Sequence, residues 1–228
     1  MSEQTKELKL DASVIVDGIS CLNELINNQD NARQLYALAA ALKPVFNGDW
    51  PLYLTGIGKP GYVAQKQAAS LKSIRIDAQF IDATLAGHGD LGPVPMHNGS
   101  MLIALSKSGC SSELYGLFKV LKQMRPACQI VLICMSNDKQ FETVSACPDI
   151  DFAVRFQVDP KELDGFGIVP TTSNLLFEAI LSTAFANAIK DTLGFRGMCK
   201  RLQESHPSGT LYNKVTALLE NFDNEQSK

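Results

Sequence analysis

Apolar positions in the first fifty residues recur at helical spacing. Ile15, Ile19, Leu22 and Ile26 follow at intervals of four, three and four, one apolar stripe on a helix over residues 12–28. Asn27 and Asn28 end it. Asp30 or Asn31 can cap a second helix through Leu35, Leu38, Leu42 and Val45, which Gly48 closes. From Pro51 the period changes. Residues 51–55, 78–81, 101–105, 129–135 and 152–158 are short, nearly continuous apolar runs, each predicted as a strand. Helical stretches over 62–74 and 112–124 fall between them. Such alternation indicates a parallel sheet buried on both faces. Residues 172–193 read as a long helix apolar on most sides, the pattern of a core or subunit-interface helix. The last ten or so residues are polar and are expected to fray. The predicted fold is α/β: one doubly wound parallel sheet of about five strands flanked by helices, with an N-terminal helical pair. Residues 1–48 form that helical extension, 49–215 the main domain, and 216–228 a helix end and tail.

Composition narrows the functional classes. The chain has 228 residues, enough for one α/β domain with its own core. A formal net charge of -3 gives no general field for a polyanion, so no nucleic-acid partner is expected. A small phosphorylated ligand needs only local donors and stays open. The N-terminus has no apolar signal core, and no apolar run approaches the ~20 residues of a membrane helix. Six cysteines lie scattered without a CxxC pair, which suits reduced thiols in the cytoplasm better than a disulfide framework or a zinc site.

Two loops at predicted strand ends carry anion-binding chemistry. Ligands in open parallel sheets bind beyond the carboxyl ends of the strands. The first loop, Gly56-Ile57-Gly58-Lys59-Pro60-Gly61, offers close backbone approach at Gly58 and a cation at Lys59. The second, Ser106-Lys107-Ser108-Gly109-Cys110-Ser111-Ser112-Glu113, offers four hydroxyls before a helix, matching the oxygens of a phosphate monoester. The first loop also fits GxGxxG, with Asp77 and Asp82 at the distance of a ribose-binding acid, so a dinucleotide site is a rival reading. The hydroxyl-rich second loop favours a phosphate monoester. A plain turn with a helix cap is the bland alternative for either loop alone.

The loops belong to a larger ordered set. Gly87-His88-Gly89-Asp90-Leu91-Gly92, Ile168-Val169-Pro170-Thr171-Thr172-Ser173 and Ser205-His206-Pro207-Ser208-Gly209 complete it. Together they resemble the SIS (sugar isomerase) domain of bacterial arabinose-5-phosphate isomerases from about Pro51 to Val215. The His-Gly-Asp-Leu-Gly and Ser-His-Pro segments are the specific part. The resemblance implies interconversion of ribulose 5-phosphate and arabinose 5-phosphate through an enediol, with no organic cofactor and no metal. By likeness Ser106, Ser108 and Ser111 hold the phosphate, and Thr171, Thr172 and Ser173 line the far side of the pocket. Catalysis maps onto Lys59, His88, Glu113 and His206. A carboxylate can shuttle the proton, histidines can serve the oxygens, and a lysine can offset developing charge. This assigns Glu113 to the shuttle, His88 and His206 to ring opening and oxygen protonation, and Lys59 to electrostatic support; the roles are open to permutation.

Against that reading, Glu113 could merely favour a helix dipole, and His206 could be a surface loop residue. A metal site from His88, Asp90 and His206 is a further alternative. A non-catalytic sugar-phosphate sensor would need the serines but none of the four catalytic candidates. Pro60, Lys107 and Cys110 depart from the family, which has serine, a neutral amide and an acidic residue there, and these changes leave the identity of the sugar open. The resemblance also implies a homodimer or homotetramer in which the segment around His206 reaches a neighbouring subunit. Family members often carry a pair of CBS domains, for which the sequence after position 215 has no room.

Overall fold

Five strands form one wholly parallel sheet: β1 (Leu52–Gly56), β2 (Ala78–Phe80), β3 (Ser100–Leu105), β4 (Cys128–Cys134) and β5 (Phe152–Arg155). Their order is β2-β1-β3-β4-β5 in this computed structural model, which describes residues 13–158 and 171–226. β1 and β3 are buried at every position, and β4 at all but Gln129. That two-sided burial is why these strands are apolar runs rather than alternating patterns.

Nine helices are seen among the described residues: α1 (Ser13–Asn27), α2 (Gln29–Ala41), α3 (Lys43–Asn47), α4 (Lys59–Lys72), α5 (Ser112–Met124), α6 (Asp138–Ser145), α7 (Thr171–Thr192), α8 (Gly194–Ser205) and α9 (Thr210–Gln226). Alternate strand positions feed two cores. Leu52, Leu54, Met101 and Ile103 pack with α1–α4 and α7 on one face. Tyr53, Leu102, Ala104 and Ile130 pack with α5 and with Leu91 and Val94 on the other. Each fully buried Leu, Ile or Met side chain contributes about 1.5–3 kcal/mol, so this pattern of inward positions fixes the register of the sheet.

Several elements differ from the sequence reading. The expected N-terminal pair is three helices, because Pro44 cannot donate within a continuing helix but fits the first turn of α3. Asn28, rather than Asp30 or Asn31, caps α2, its side chain accepting from the N–H groups of Asp30 and Asn31. The stripe on α1 faces the other way. Gly18, Cys21 and Leu25 are buried, whereas Ile15, Ile19 and Ile26 are 54–67% exposed. Gly18 allows this seating: a Cβ there would lie 3.1 Å from Leu175 of α7. α4 starts three residues earlier than expected, with Pro60 in its first turn. β5 ends at Arg155 rather than Val158. α6 and α8 were not anticipated, and the tail expected to fray continues α9 to Gln226.

The path of the chain decides which edge each residue occupies. α4 leaves the carboxyl end of β1 and returns to the amino end of β2. α7 runs alongside it in the same direction: Lys66 and Gln67 reach Glu178 at 2.8 and 2.6 Å, and further along, Leu71 and Ile74 border one cavity with Ala186 and Ile189. The first turn of α7 therefore lies at the carboxyl edge and its end at the amino edge. α8 follows at the amino edge, where Glu204 pairs with Arg75, three residues before β2.

Candidate active site

From β1 the chain proceeds first outward to β2, then back across to β3. The loops after β1 and β3 consequently part over the sheet, the place where open α/β sheets bind ligands. A cavity of about 500 Å³ lies there. Ile57 and Pro60 come from the β1 loop, Ser106, Lys107, Ser108 and Ser111 from the β3 loop, and Met135, Asn137 and Gln140 from the β4–α6 connection.

Backbone chemistry shapes the first loop. A Cβ on Gly61 would lie 2.6 Å from the Gly56 carbonyl oxygen, so two glycines let the turn fold onto the start of α4. Gly58 has φ 64°, ψ −129°, a region that side chains avoid. Lys59 is exposed at the first position of α4.

The second loop is organised by its own hydroxyls. Ser106 Oγ accepts from Gly109 N–H at 3.1 Å and lies 3.2 Å from Ser111 Oγ. Ser108 Oγ accepts from Cys110 N–H at 3.2 Å. Backbone donors thus occupy an acceptor side of Ser106 and Ser108; the Ser108 hydrogen and one of the two hydrogens of the Ser106–Ser111 pair are left for a ligand. Ser106 is buried, and Lys107 and Ser108 are half-buried.

Two smaller cavities continue the crevice. One, of about 320 Å³, shares Ile57 with the first and is bordered by Gly58, Asp82 and Thr84. The other, of about 330 Å³, shares Thr84 and is bordered by Gly87 and Glu113. Thr84 donates to Asp82 from its hydroxyl at 2.7 Å and its N–H at 2.8 Å, holding that carboxyl below its ordinary value. Glu113 is exposed in the first turn of α5, its Oε2 accepting from Ser112 Oγ at 3.1 Å. The serine loop, Gly58 and Glu113 therefore border three neighbouring cavities, the first and second meeting at Ile57 and the second and third at Thr84.

His88 ends a short 3-10 turn, Ala86–His88, and is exposed beside this crevice. Its loop is clamped from beneath. The buried Arg125 donates from Nε to Val94 O at 2.7 Å and from Nη2 to Leu91 O at 3.5 Å, while Tyr53 Oη donates to Pro93 O at 2.7 Å. Burial, then the charge of Asp77, pushes the Tyr53 phenol up to about 12, so it remains a donor at all ordinary pH. Sequence reasoning missed this clamp, because one arginine and one tyrosine far apart in the chain carry no local signal.

Thr172 and Ser173 are buried in the first turn of α7, at the same edge of the sheet but not on the walls of the three cavities. Ile168, Val169, Pro170 and the side chain of Thr171 lie outside the described residues. His206 is not brought into the crevice. It caps the end of α8 two residues after Glu204, at the amino edge, about 20 Å away by the length of α4. Its Nδ1 lies 3.0 Å from Leu202 O. A carbonyl only accepts, so Nδ1 is the donor in this contact. Within one chain, His88, Asp90 and His206 do not gather into the metal set considered from the sequence.

Asn137 and Gln140 were also missed. The sequence signal was available in Asn137-Asp138-Lys139-Gln140, a capping-box spacing at the end of a strand.

No protein-family model matches the chain. It is 31% identical over 199 residues to the arabinose 5-phosphate isomerase KdsD of Yersinia pestis, an alignment covering 87% of this chain and 54% of that protein. The chain thus spans about half the length of the curated relatives it matches. A Bacteroides fragilis protein described as a phosphosugar isomerase involved in capsule formation superposes with a TM-score of 0.68 at 22% identity, over 83% of this chain and 93% of that one. An Escherichia coli CFT073 protein in complex with arabinose 5-phosphate superposes with a TM-score of 0.62 at 24% identity, over 78% and 87%. The structural likenesses establish the fold.

Proposed function

The chain has the SIS fold and is a homologue, over most of its length and about half of theirs, of arabinose 5-phosphate isomerases; from that premise we propose that it is an aldose–ketose isomerase of a sugar phosphate. The most economical substrate pair is arabinose 5-phosphate and ribulose 5-phosphate. The observation that carries this reading is the succession of neighbouring cavities, meeting at Ile57 and Thr84, from the hydroxyls of Ser106, Ser108 and Ser111 to the carboxylate of Glu113. A phosphate anchored at one end places the carbonyl end of a short sugar along the crevice, towards Glu113.

In this proposal the serines and Lys107 bind the phosphate, and Gly58 lets the backbone approach the ligand. Glu113 removes the proton beside the carbonyl and returns it to the neighbouring carbon. Lys59 offsets the charge of the enediolate, and His88 serves the ring oxygen and hydroxyls. His206 completes the site from a neighbouring copy, since in its own chain it lies at the opposite edge of the sheet. Exposed Ile15, Val16, Ile19 and Ile26 on α1 supply an apolar face of the kind that association covers. All six cysteines are free thiols, consistent with a cytoplasmic protein, and no helix among the described residues is long and apolar enough to cross a membrane.

A coupled assay against a panel of pentose and hexose phosphates tests the activity. Conversion of a pentose 5-phosphate is the expected result, and absence of turnover on every aldose and ketose phosphate overturns it. Ser108→Ala should weaken binding of the phosphorylated sugar by about 1–2 kcal/mol, the loss of one hydrogen bond to a charged group. Titration calorimetry with phosphorylated and unphosphorylated sugar checks this; an equal effect on both places Ser108 away from the phosphate.

Cys110 provides an independent probe of the loop. It is exposed, with its Sγ 3.4 Å from Ser108 O, whereas Cys21, Cys128, Cys134 and Cys199 are buried, and burial pushes the last three up. A mild alkylating reagent should label Cys110 first, lower activity, and be blocked by bound sugar phosphate. Mass mapping identifies the labelled thiol. First labelling at any other cysteine, or no protection by substrate, would contradict the placement of this loop.

A further inference from the structure

We infer that Asn137 and Gln140 are ligand-binding residues, whose side-chain amino groups close the phosphate site from the wall facing the serine loop. The inference rests on reading that loop as the phosphate cradle, and deepens it by assigning the opposite wall.

Asn137 Oδ1 accepts from Gln140 N–H at 2.9 Å, and Gln140 Oε1 accepts from Asn137 N–H at 3.1 Å. A backbone N–H can only donate, so the atom facing it in each amide must be the oxygen. The reciprocal cap therefore fixes the orientation of both amides. Both oxygens are spent on the helix start, and both NH2 groups remain.

Both residues line the same cavity as Ser106, Lys107, Ser108 and Ser111. The serine loop has the same polarity, since backbone N–H groups occupy acceptor sides of Ser106 and Ser108, leaving the Ser108 hydrogen and one of the two hydrogens of the Ser106–Ser111 pair. The two walls thus present donors to each other across the cavity. The carboxylate of Asp138, between the two amides in sequence, is paired with Arg155 Nη2 at 2.7 Å. A sugar hydroxyl both donates and accepts, and is served best by mixed partners. A phosphate dianion only accepts, and donors on both sides match it. Commitment to the phosphate, rather than to the sugar hydroxyls, follows from that polarity.

The capping role supplies variants that keep the fold and remove only the donors. Glu at the third helical position and Ser at the cap are both competent in a capping box. Gln140→Glu therefore keeps the acceptor for Asn137 N–H while replacing the amino group with an anionic oxygen. Asn137→Ser keeps a cap oxygen, stays neutral, and cannot reach the ligand. Lys139→Glu is the control, an exposed position on the same helix that changes charge without lining the cavity.

Titration of the full chain with inorganic phosphate and with a pentose 5-phosphate reads the result. Gln140→Glu should weaken both by about tenfold or more, and Asn137→Ser by about threefold to tenfold, as expected for lost hydrogen bonds to a charged group. Lys139→Glu should stay within about twofold, and thermal midpoints of all three should match the wild type, since substitutions outside the core that keep the cap change stability little. Wild-type affinities in both cap variants overturn the inference, as does an equal loss in Lys139→Glu. Weakened sugar-phosphate binding with unchanged phosphate binding also overturns it, by moving the amides to the sugar. If the wild-type protein binds neither probe, the phosphate reading of the serine loop fails and takes this inference with it; wild-type binding with unaffected variants fails the inference alone.

Discussion

Replacing Glu113 with glutamine is expected to lower kcat by about 10²–10⁴-fold, the range attributed to a positioned general acid–base, while sugar-phosphate affinity stays within a few-fold. The separation follows from the geometry. Glu113 borders a cavity with Thr84 and Gly87, whereas the serine hydroxyls border the one beyond Ile57. In the proposed reaction ground-state affinity comes chiefly from the phosphate end, and the carboxylate acts on a proton that moves only as the reaction proceeds. Glutamine is nearly isosteric and, like the carboxylate, can accept from Ser112 Oγ, so the first turn of α5 should be undisturbed. Exchange of the transferred carbon-bound proton with deuterated solvent gives a second reading of the same step. The variant should lose that exchange along with turnover. Turnover within tenfold of the wild type would remove Glu113 from the shuttle role and leave it a residue that favours a helix dipole.

How much of this was legible in the chain depends on where each signal was local. β1, β3 and β4 are buried on both faces, so their residues are continuous apolar runs that need no partner to be recognised. The serine loop and Glu113 are also local, because a strand end, a hydroxyl-rich turn and a helix start follow within eight residues. α1 shows the limit of periodicity. Ile15, Ile19 and Ile26 do form a helical stripe, yet the side that meets α7 is the one with Gly18, Cys21 and Leu25, and the stripe is left exposed. Hydrophobicity located a helical face without saying whether the same chain covers it.

α6 was missed because eight residues with Phe141 and Val144 as the inward pair give too little period, although its cap was spelled out in Asn137 and Gln140. The clamp of Arg125 and Tyr53 on the carbonyls of Leu91, Pro93 and Val94 was invisible for a different reason. Its acceptors are backbone atoms, which every sequence supplies. Such carbonyls need a partner once buried, and only the folded arrangement reveals which side chain provides it.

His206 is the case where a residue was legible and its place was not, and its position leads to the second large effect. With Glu204 tied to Arg75 ahead of β2, His206 stands at the amino edge of the sheet and Glu113 at the carboxyl edge. If His206 acts in the proposed reaction, it must do so in the crevice of a neighbouring copy. His206→Ala alone should then cost activity by about 10²-fold or more, the low end for a general acid–base. Glu113→Gln alone should do the same. In a two-fold assembly, a mixed dimer of the two variants has one crevice carrying both defects and one carrying neither. Random mixing makes about half the dimers mixed, so co-expression should restore about a quarter of the wild-type activity per chain. Differently tagged variants, purified through both tags in sequence, isolate the mixed species and should reach about half. Activity no higher than that of the single variants would mean that Glu113 and His206 of one chain serve the same site, or that His206 serves none. In either case the proposed sharing of the crevice between copies would have to be abandoned.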